Sequence, residues 1–371
     1  MNQTPQDEAA WRTLLAPYKK ASARSAWIQL LDTALPFIAT WAAMVWSVKN
    51  QPWLLLPLTL LGAGFYVRLF ILQHDCGHGS FFPSRRANQI LGGMLGVATL
   101  FPYGYWRRTH AIHHATTGNL DERELGDVAT LTVREYLARG FWGRFGYRLY
   151  RSPFVLFGVG PAYQFVLKHR FPFDIPWTWK REWASVLWTN LFMALLYGGL
   201  SLLIGWQTVA IVTLLIVLVA GAGGVWLFYV QHQFEQTYWA EEGNWDFFQA
   251  GMHGSSYYDL PKWLHWFTGN IGYHHIHHLA SNIPNYRLPE AFRDNPSLQN
   301  CHHLTLRSSL RCARLRLWDE ESKAMVGWKE LRQIREVRQL CPPRSPDSPD
   351  SPLASTVSWI EAQSMNHLRI P

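Results

Sequence analysis

Four stretches of mostly apolar residues constrain the fold of this chain more than any other feature. They cover residues 26–48, 53–72, 183–206 and 208–230. Each approaches the ~20 residues that an α-helix needs to cross the ~30 Å hydrocarbon core of a bilayer. The first two are separated by residues 49–52 and the last two by a break near Gln207. We therefore predict an all-α integral membrane protein whose four transmembrane helices form two hairpins.

Positively charged residues predict the side of the membrane on which each soluble segment lies. Both hairpin turns are short, and of the 34 Lys and Arg residues only Lys49 falls in one of them. The positive-inside rule then places the N-terminus, residues 73–182 and residues 231–371 in the cytoplasm. Two shorter apolar runs, 90–105 and 153–167, contain Gly and Pro and are predicted to be interfacial helices. We expect a multi-pass protein of a bacterial inner membrane with both termini cytoplasmic.

The charge distribution and the cysteine content argue against nucleic-acid binding, a zinc ribbon and a disulfide framework. The net charge of +8 is spread between the apolar stretches and forms no single block the size of a nucleic-acid groove, so we predict no nucleic-acid partner. The four cysteines contain no C-x-x-C pair, which argues against a zinc ribbon. They also suggest no disulfide framework, as expected for a reducing, cytoplasm-facing location.

The chain is predicted to hold one large domain followed by an extension. Residues 1–332 form the membrane domain with its cytoplasmic histidine-rich cap, and residues 333–371 form a C-terminal extension. From about residue 342 the extension is rich in Pro, Ser and Asp, with too little apolar surface to form a core, so we expect it to be disordered. The mostly polar N-terminal residues before the first apolar stretch predict an uncleaved membrane anchor.

Nine of the sixteen histidines recur at spacings that direct their imidazoles one way. Offsets of three and four residues place side chains on one face of a helix, and all four locations follow the inner ends of the predicted spans. Two hairpins would therefore bring them together at the cytoplasmic end of one bundle. The nine are His74 and His78 in HDCGH, His110, His113 and His114 in HAIHH, His232 in QHQFE, and His274, His277 and His278 in HHIHH.

Nine imidazoles indicate two metal ions, since a first-row metal ion rarely takes more than about six ligands. Imidazole suits iron, zinc and copper alike, so the ligands alone do not name the metal. The position at a membrane surface favours iron, because a redox metal can oxidise an apolar chain there. We predict two iron ions held by these nine side chains, with His232 the least specific of them.

Other residues near the motifs have simpler interpretations. Asp75 and Glu235 are predicted to accept the second ring N–H of a ligand histidine, whereas Asp121 and Asp127 are interpreted as solvated charges. His275 directly follows His274 and should turn away from it. Trp106 and Trp266 are candidate channel-wall residues. The histidines without partner spacing are interpreted as surface or interfacial residues: His169, His253, His265, His302, His303 and His367.

The motifs resemble those of a known family. HDCGH, RRTHAIHHATTGNLD, QHQFE and TGNIGYHHIHHLASNIPNYRL are similar in order and spacing to those of the membrane acyl-lipid desaturases, in particular the bacterial and cyanobacterial omega-6 (delta-12) branch. The likeness covers about residues 10–332. It implies a four-helix membrane fold with a cytoplasmic cap, a diiron (Fe2+) centre that uses O2, a fatty acyl lipid substrate with an oleoyl chain, and a cis double bond as the product.

The resemblance also implies a separate electron donor of the ferredoxin or cytochrome b5 type, with its reductase. The sequence contains no Fe–S cysteine pattern and no G-x-G-x-x-G fingerprint that would supply one. Two alternatives stay open at this point. An acyl-chain hydroxylase or ketolase has the same histidine plan, and a non-catalytic membrane metal-binding or transport protein is a more distant possibility because its polar groups should line the spans near the midplane.

Overall fold

The computed structural model describes residues 5–340 except Glu124. The extension predicted to be disordered from about residue 342 lies outside the described residues. The chain divides into two compact units, Met1–Met325 and Val326–Pro371. In the second unit, the described part contains one helix, Trp328–Leu340. The predicted boundary at residue 332 stays a prediction.

The described chain is mostly helical. In order, its helices are α1 (Pro5–Leu15), α2 (Ala23–Asn50), α3 (Leu55–His78), α4 (Arg85–Ala98), α5 (Tyr103–Thr116), α6 (Val133–Ala138), α7 (Phe141–Tyr150), α8 (Gly160–Tyr163), α9 (Lys180–Ile204), α10 (Trp206–His232), α11 (Phe247–His253), α12 (Lys262–Phe267), α13 (His274–Leu279), α14 (Leu288–Asp294), α15 (Leu306–Ser309) and α16 (Trp328–Leu340). Two π-helical segments, Val155–Val159 and Gln164–Lys168, flank α8. The strands are β1 (Leu131–Thr132), β2 (Tyr257–Asp259), β3 (His303–Thr305), β4 (Leu317–Asp319) and β5 (Ala324–Val326).

Within the described residues, four helices are long and apolar enough to cross a membrane, which confirms the prediction of four spans. They are Ala23–Asn50, Pro52–His78, Lys180–Ile204 and Trp206–His232. The first hairpin turns where predicted, since α2 ends at Asn50 and Gln51 forms its C-cap. The second hairpin turns at Gly205, two residues before Gln207, where Gly205 ends α9 with a positive φ of 87°. Trp206 therefore begins α10 instead of ending the third span.

Small residues allow the long helices to pack closely. A Cβ atom on Gly62 of α3 would lie 3.2 Å from Ile216 of α10, and Met44 of α2 is buried in the same apolar cluster. The surfaces of the long helices that face away from the bundle are apolar. On α9, for example, the Leu202 side chain is 91% exposed. An apolar surface of this extent on long helices is what a lipid environment requires.

The α4–α5 hairpin (residues 85–116) runs lengthwise beside α3. Near the start of α4, Asn88 bonds to the Phe82 backbone just after α3 ends. At the turn, the Thr99 hydroxyl donates to Gln73 and the Thr99 carbonyl accepts from Tyr66, which lies twelve residues, or about 18 Å, before the end of α3. The turn of this hairpin includes Leu100, with φ 54°. This course differs from the in-plane position predicted for residues 90–105.

A second segment, residues 153–170, follows α10 in the same manner. The Phe157 ring lies 5.4 Å from the Tyr229 ring, and a Cβ atom on Gly221 would lie 3.0 Å from Phe165. Tyr229 and Gly221 are eight residues apart, or about 12 Å along α10. This segment too runs along a span instead of lying flat at the interface as predicted, and we describe both segments as re-entrant.

The two re-entrant segments meet at their turns. The Arg170 guanidinium donates to the Leu100 carbonyl at 2.5 Å and to the Asn190 side chain of α9 at 2.7 Å. The Phe101 ring lies 3.9 Å from the His169 ring. Irregular backbone at membrane depth is tolerated only where its polar groups are satisfied by protein. Arg170 supplies such a donor to the turn of the α4–α5 hairpin.

The residues after α10, together with β1, form two small sheets in which the β1–β4 and β2–β3 pairs are parallel. Strand β1 pairs with β4, and the first sheet has the order β1-β4-β5. Strand β2 pairs with β3, with Tyr257 opposite His303. The N-terminal helix α1 contributes Trp11 and Leu15 to the apolar cluster that contains Ile276 of α13. Burying a side chain of this size contributes roughly 1.5–3 kcal/mol, so α1 supports the helix that carries the last histidine motif.

Candidate metal centre

The structure brings all nine predicted histidines together in two groups. Within each group, one ligand-capable atom per residue lies within 4.8 Å of all the others. The five-histidine group consists of His74, His78, His110, His114 and His277. The four-histidine group consists of His113, His232, His274 and His278. This division into two adjacent groups could not be derived from the motifs, because HAIHH and HHIHH each contribute to both.

Helix periodicity explains why each motif serves two groups. His110 and His114 are four residues apart on α5 and share a face, whereas His113 points to the neighbouring group. On α13, His277 joins the five-histidine group while His274 and His278, again four apart, join the other. Helices α5 and α13 therefore lie between the two groups, and α3 and α10 each close one side.

The distances between ring nitrogens fit ligands arranged around a common ion. The Nε2 atoms are 2.9 Å apart between His232 and His274, and 3.1 Å apart between His274 and His278. In the five-histidine group the His114 Nε2 lies 3.0 Å from that of His277 and 3.1 Å from that of His110. Two nitrogens that bind one ion at about 2.1 Å and at right angles are separated by about 3.0 Å. Both groups therefore fit a metal ion.

Unpartnered nitrogens support the same conclusion. Among the described residues, the buried Nε2 atoms of His78 and His113 have no hydrogen-bond partner. A buried polar atom without a partner costs about 1–3 kcal/mol, and nearly all such atoms in folded proteins are satisfied. A metal ion in each group would satisfy these lone pairs.

The environment keeps the rings in the form that binds metals. Burial first, and then the neighbouring histidines, hold the pKa of His110, His114, His274, His277 and His278 well below the ordinary value. Neutral imidazole has a free lone pair, and imidazolium has none. At neutral pH these five side chains are therefore ready to bind a cation.

Asp127 orients a histidine of the four-histidine group. The Nδ1–H of His113, a fully buried side chain, donates to Asp127 Oδ1 at 2.5 Å. This bond leaves the Nε2 lone pair free to face the group. The preceding Gly126 has φ 88°, and a Cβ atom there would lie 2.9 Å from the His113 Cβ, so glycine permits the close approach. The interpretation of Asp127 as a solvated charge is wrong.

The two predicted second-sphere carboxylates have different positions. Asp75 lies against the site: His74 Nδ1 is 3.3 Å from its Oδ1, and Asn285 donates from its backbone and side chain to Oδ2. Glu235 is exposed, and within the described chain no hydrogen bond joins its carboxylate to any of the nine histidines. A backbone oxygen has the corresponding role for His232, whose Nδ1–H donates to the Gly254 carbonyl at 3.1 Å.

Two of the histidines interpreted as surface or interfacial residues, His169 and His265, are instead buried, so that interpretation is wrong for them. His275 turns away from both groups, and its Nε2 lies 3.0 Å from the Leu298 carbonyl. The Trp106 ring stacks on the His110 ring, with the centroids 4.6 Å apart, so Trp106 lines one side of the five-histidine group. Trp266 belongs to α12 and lies away from the histidines, beside Arg68 of α3, whose guanidinium is 4.0 Å from the indole ring. A cavity adjoins the four-histidine group and is lined by Phe228, His232 and Asp127 among others.

Long apolar helices that end in a buried histidine-rich centre define a membrane protein with a candidate metal site at one end of its bundle. A family model described as fatty acid desaturase matches residues 50–309. The chain belongs to the fatty acid desaturase family, and is therefore an oxidoreductase.

Three relatives illustrate the breadth of this family. A fatty acid desaturase of Bacillus subtilis is 44% identical over 318 residues, which cover 86% of this chain and 90% of that protein. An sn-1 oleoyl-lipid 12-desaturase of Anabaena variabilis is 28% identical over 290 residues, or 72% of this chain and 75% of that protein. An sn-1 acyl-lipid omega-3 desaturase (ferredoxin) of Synechocystis is 30% identical over 252 residues, or 64% and 67%.

Proposed function

We propose that the nine histidines hold two iron ions, one in each group, and that the protein uses O2 to introduce a cis double bond into a fatty acyl chain. The observation that carries this proposal is the pair of buried histidine groups at ligand distances, in a chain of the desaturase family. Desaturation removes two hydrogen atoms from adjacent methylenes. Together with two electrons and two protons from the electron donor, these two hydrogen atoms reduce one O2 to two waters.

The bound irons would supply the oxidising power for an unactivated C–H bond. The side chains of this protein orient the ligands and shape the site. Asp127 and the Gly254 carbonyl fix the tautomers of His113 and His232. Trp106 covers His110, and Phe228 packs 5.1 Å from His113. These aromatic rings exclude water from one side of each group and offer apolar surface to an acyl chain.

The preferred substrate we propose is an oleoyl chain in a glycerolipid, desaturated at the delta-12 (omega-6) position. Support comes from the cyanobacterial oleoyl-lipid 12-desaturases, which are 26–28% identical to this chain. The donor is proposed to be a separate ferredoxin or cytochrome b5 with its reductase, in line with the ferredoxin named for the Synechocystis relative. The basic segments 73–182 and 231–371 support a cytoplasmic location of the site in a bacterial inner membrane.

Fatty-acid profiling of a host rich in oleoyl chains tests the reaction. The host expresses the protein with a compatible donor, and products are resolved by mass with the double bonds located. We expect a new dienoic acid that is absent when His113→Ala or His277→Ala replaces the intact protein. The matched control is His303→Ala, which removes an exposed histidine outside both groups and should leave the product unchanged.

Different products would redirect the assignment. An oxygenated acid would favour a hydroxylase, since mass increases by oxygen instead of falling by two hydrogens. A double bond elsewhere in the chain would retain the desaturase and replace the delta-12 assignment. Product formation by both His113→Ala and His277→Ala would contradict the ligand assignment. Iron analysis of the purified protein provides the independent readout, with two ions per chain expected.

A further inference from the structure

Arg151 is a buried cation that the proposed reaction does not use. Its side chain is completely buried at the end of α7, with 0% exposure. In the described part of the chain, no carboxylate forms an ion pair with it. Taking an unpaired charge out of water is strongly unfavourable. The surrounding structure must therefore stabilise the guanidinium in another way.

Five neutral oxygens replace the missing carboxylate. One terminal nitrogen donates to the Ala129 carbonyl and to Thr130 Oγ1, both at 3.2 Å. The other donates to Gln233 Oε1 at 2.8 Å, to the Tyr229 hydroxyl at 3.2 Å and to the Leu315 carbonyl at 3.3 Å. Hydrogen bonds to a charged group are stronger than those between neutral groups. This set holds three separate segments of the chain at fixed distances.

Two of those segments carry parts of the four-histidine group. Ala129 and Thr130 follow Asp127, which accepts the hydrogen bond from His113. Tyr229 and Gln233 flank His232 at the end of α10. One guanidinium thus sets the distance between the acceptor of one ligand and the backbone of another.

The five-histidine group has no comparable link to Arg151. Its members lie on α3, α5 and α13, and none of the five acceptors of Arg151 belongs to these helices. Movement of the Arg151 contacts would therefore displace the four-histidine group first.

We propose that Arg151 is a positioning residue that sets the geometry of the four-histidine group and leaves the five-histidine group unaffected. The inference rests on the proposed binding of one iron in each group. Residues that orient metal ligands typically change metal affinity by about 10–100-fold when they are replaced. Arg151→Met should therefore lower the affinity of the protein for one of the two irons by about that factor.

The test measures iron per chain during titration with a chelator, together with 57Fe Mössbauer spectra of the purified full-length protein. The intact protein should hold two ions with distinct spectra, because the groups differ in ligand number. Arg151→Met should lose one ion at lower chelator concentration and retain the spectrum of the other. Arg139→Met, at an exposed position just before α7, is the matched control and should shift affinity by less than about twofold.

A milder variant guards against misfolding. Tyr229→Phe removes one hydroxyl, which accepts a hydrogen bond from Arg151 and donates one to the Leu315 carbonyl. This change should lower the affinity for the same iron by a smaller factor. Two ions at unchanged affinity and spectrum in a folded Arg151→Met protein would overturn the inference, as would equal weakening of both ions in Tyr229→Phe. An intact protein without two irons would contradict the proposed metal centre itself, and the inference would fall with it.

Discussion

At the scale of single residues, the hydrogen bond between His113 and Asp127 decides which ring nitrogen faces the four-histidine group. An aspartate accepts the Nδ1 proton, and its negative charge also makes the imidazole a stronger ligand. The bond depends on Gly126, which has a positive φ and where an added Cβ atom would lie only 2.9 Å from the His113 Cβ. The carboxylate thus belongs to the site although it lies fourteen residues from its partner.

Asp127→Asn should lower iron affinity about 10–100-fold while the protein remains folded, because an amide is neutral and a weaker acceptor. Iron content after dialysis against a chelator measures the effect. Glu235→Gln is the control, since Glu235 is exposed, and it should match the unmodified protein. Equal iron retention in the two variants would show that Asp127 does not orient His113.

These two carboxylates show what sequence can and cannot provide. Histidines four residues apart on α5 and on α13 share a group, because helix geometry converts that spacing into a shared direction. The choice between Asp127 and Glu235 depends on how the loop after α5 folds back, and no local spacing encodes that path. Proximity in sequence favoured Glu235, which follows His232 by three residues, but α10 ends at His232 and the periodicity stops there.

At the scale of helices, close contact between α3 and α5 fixes the wall of the five-histidine group. The Trp106 ring occupies the space where a Cβ atom on Gly77 would lie, at 2.6 Å. The same ring stacks on His110 and lies 5.5 Å from His74. Any side chain at position 77 would therefore push the indole toward two ligands.

Gly77→Ala should destabilise the protein by roughly 1–3 kcal/mol through overpacking and should reduce iron retention. Gly93→Ala in α4 is the matched control, because a Cβ atom there meets nothing within 4 Å. That change should be neutral, or stabilising by up to about 1 kcal/mol. Thermal unfolding in detergent compares the two variants. If both raise the unfolding midpoint, the contact with Trp106 is not restrictive.

Arg170→Met should also destabilise the protein, by about 1–3 kcal/mol, because it leaves the Leu100 carbonyl without this donor. Arg181→Met, at an exposed position near the start of α9, should stay within about 0.5 kcal/mol. The free energy of unfolding by denaturant provides the comparison. The re-entrant course of both segments could not be predicted, since runs of 15–16 apolar residues are equally compatible with an interfacial helix.

At the scale of the whole molecule, the buried histidines predict a stability that falls in acid. The pKa values of His110, His114, His274, His277 and His278 are lowered on folding, mainly by burial. Below their unfolded value of about 6.5 the unfolded chain binds protons that the folded chain does not. Each histidine then removes up to about 1.4 kcal/mol of stability per pH unit.

The unfolding midpoint of the purified protein should therefore be nearly constant above pH 7.5 and should fall steadily from about pH 6.5 to pH 5. Bound metal should steepen this fall, because protons compete with the ion for the same nitrogens. Thermal scans across this range provide the measurement. A midpoint that rises on acidification would mean that the histidines gain protons on folding, contrary to their burial.

The division of each histidine group among distant segments has a consequence for biosynthesis. His78 and His277 belong to the same group, although about 200 residues separate them. At roughly 5–20 residues per second, a ribosome needs about 10–40 s to proceed from the first to the second. Throughout that interval the nascent chain offers only an incomplete set of nitrogens. Insertion of the proposed irons would therefore be a late event, and an occupied centre would require that translation and membrane integration had reached the last histidine motif.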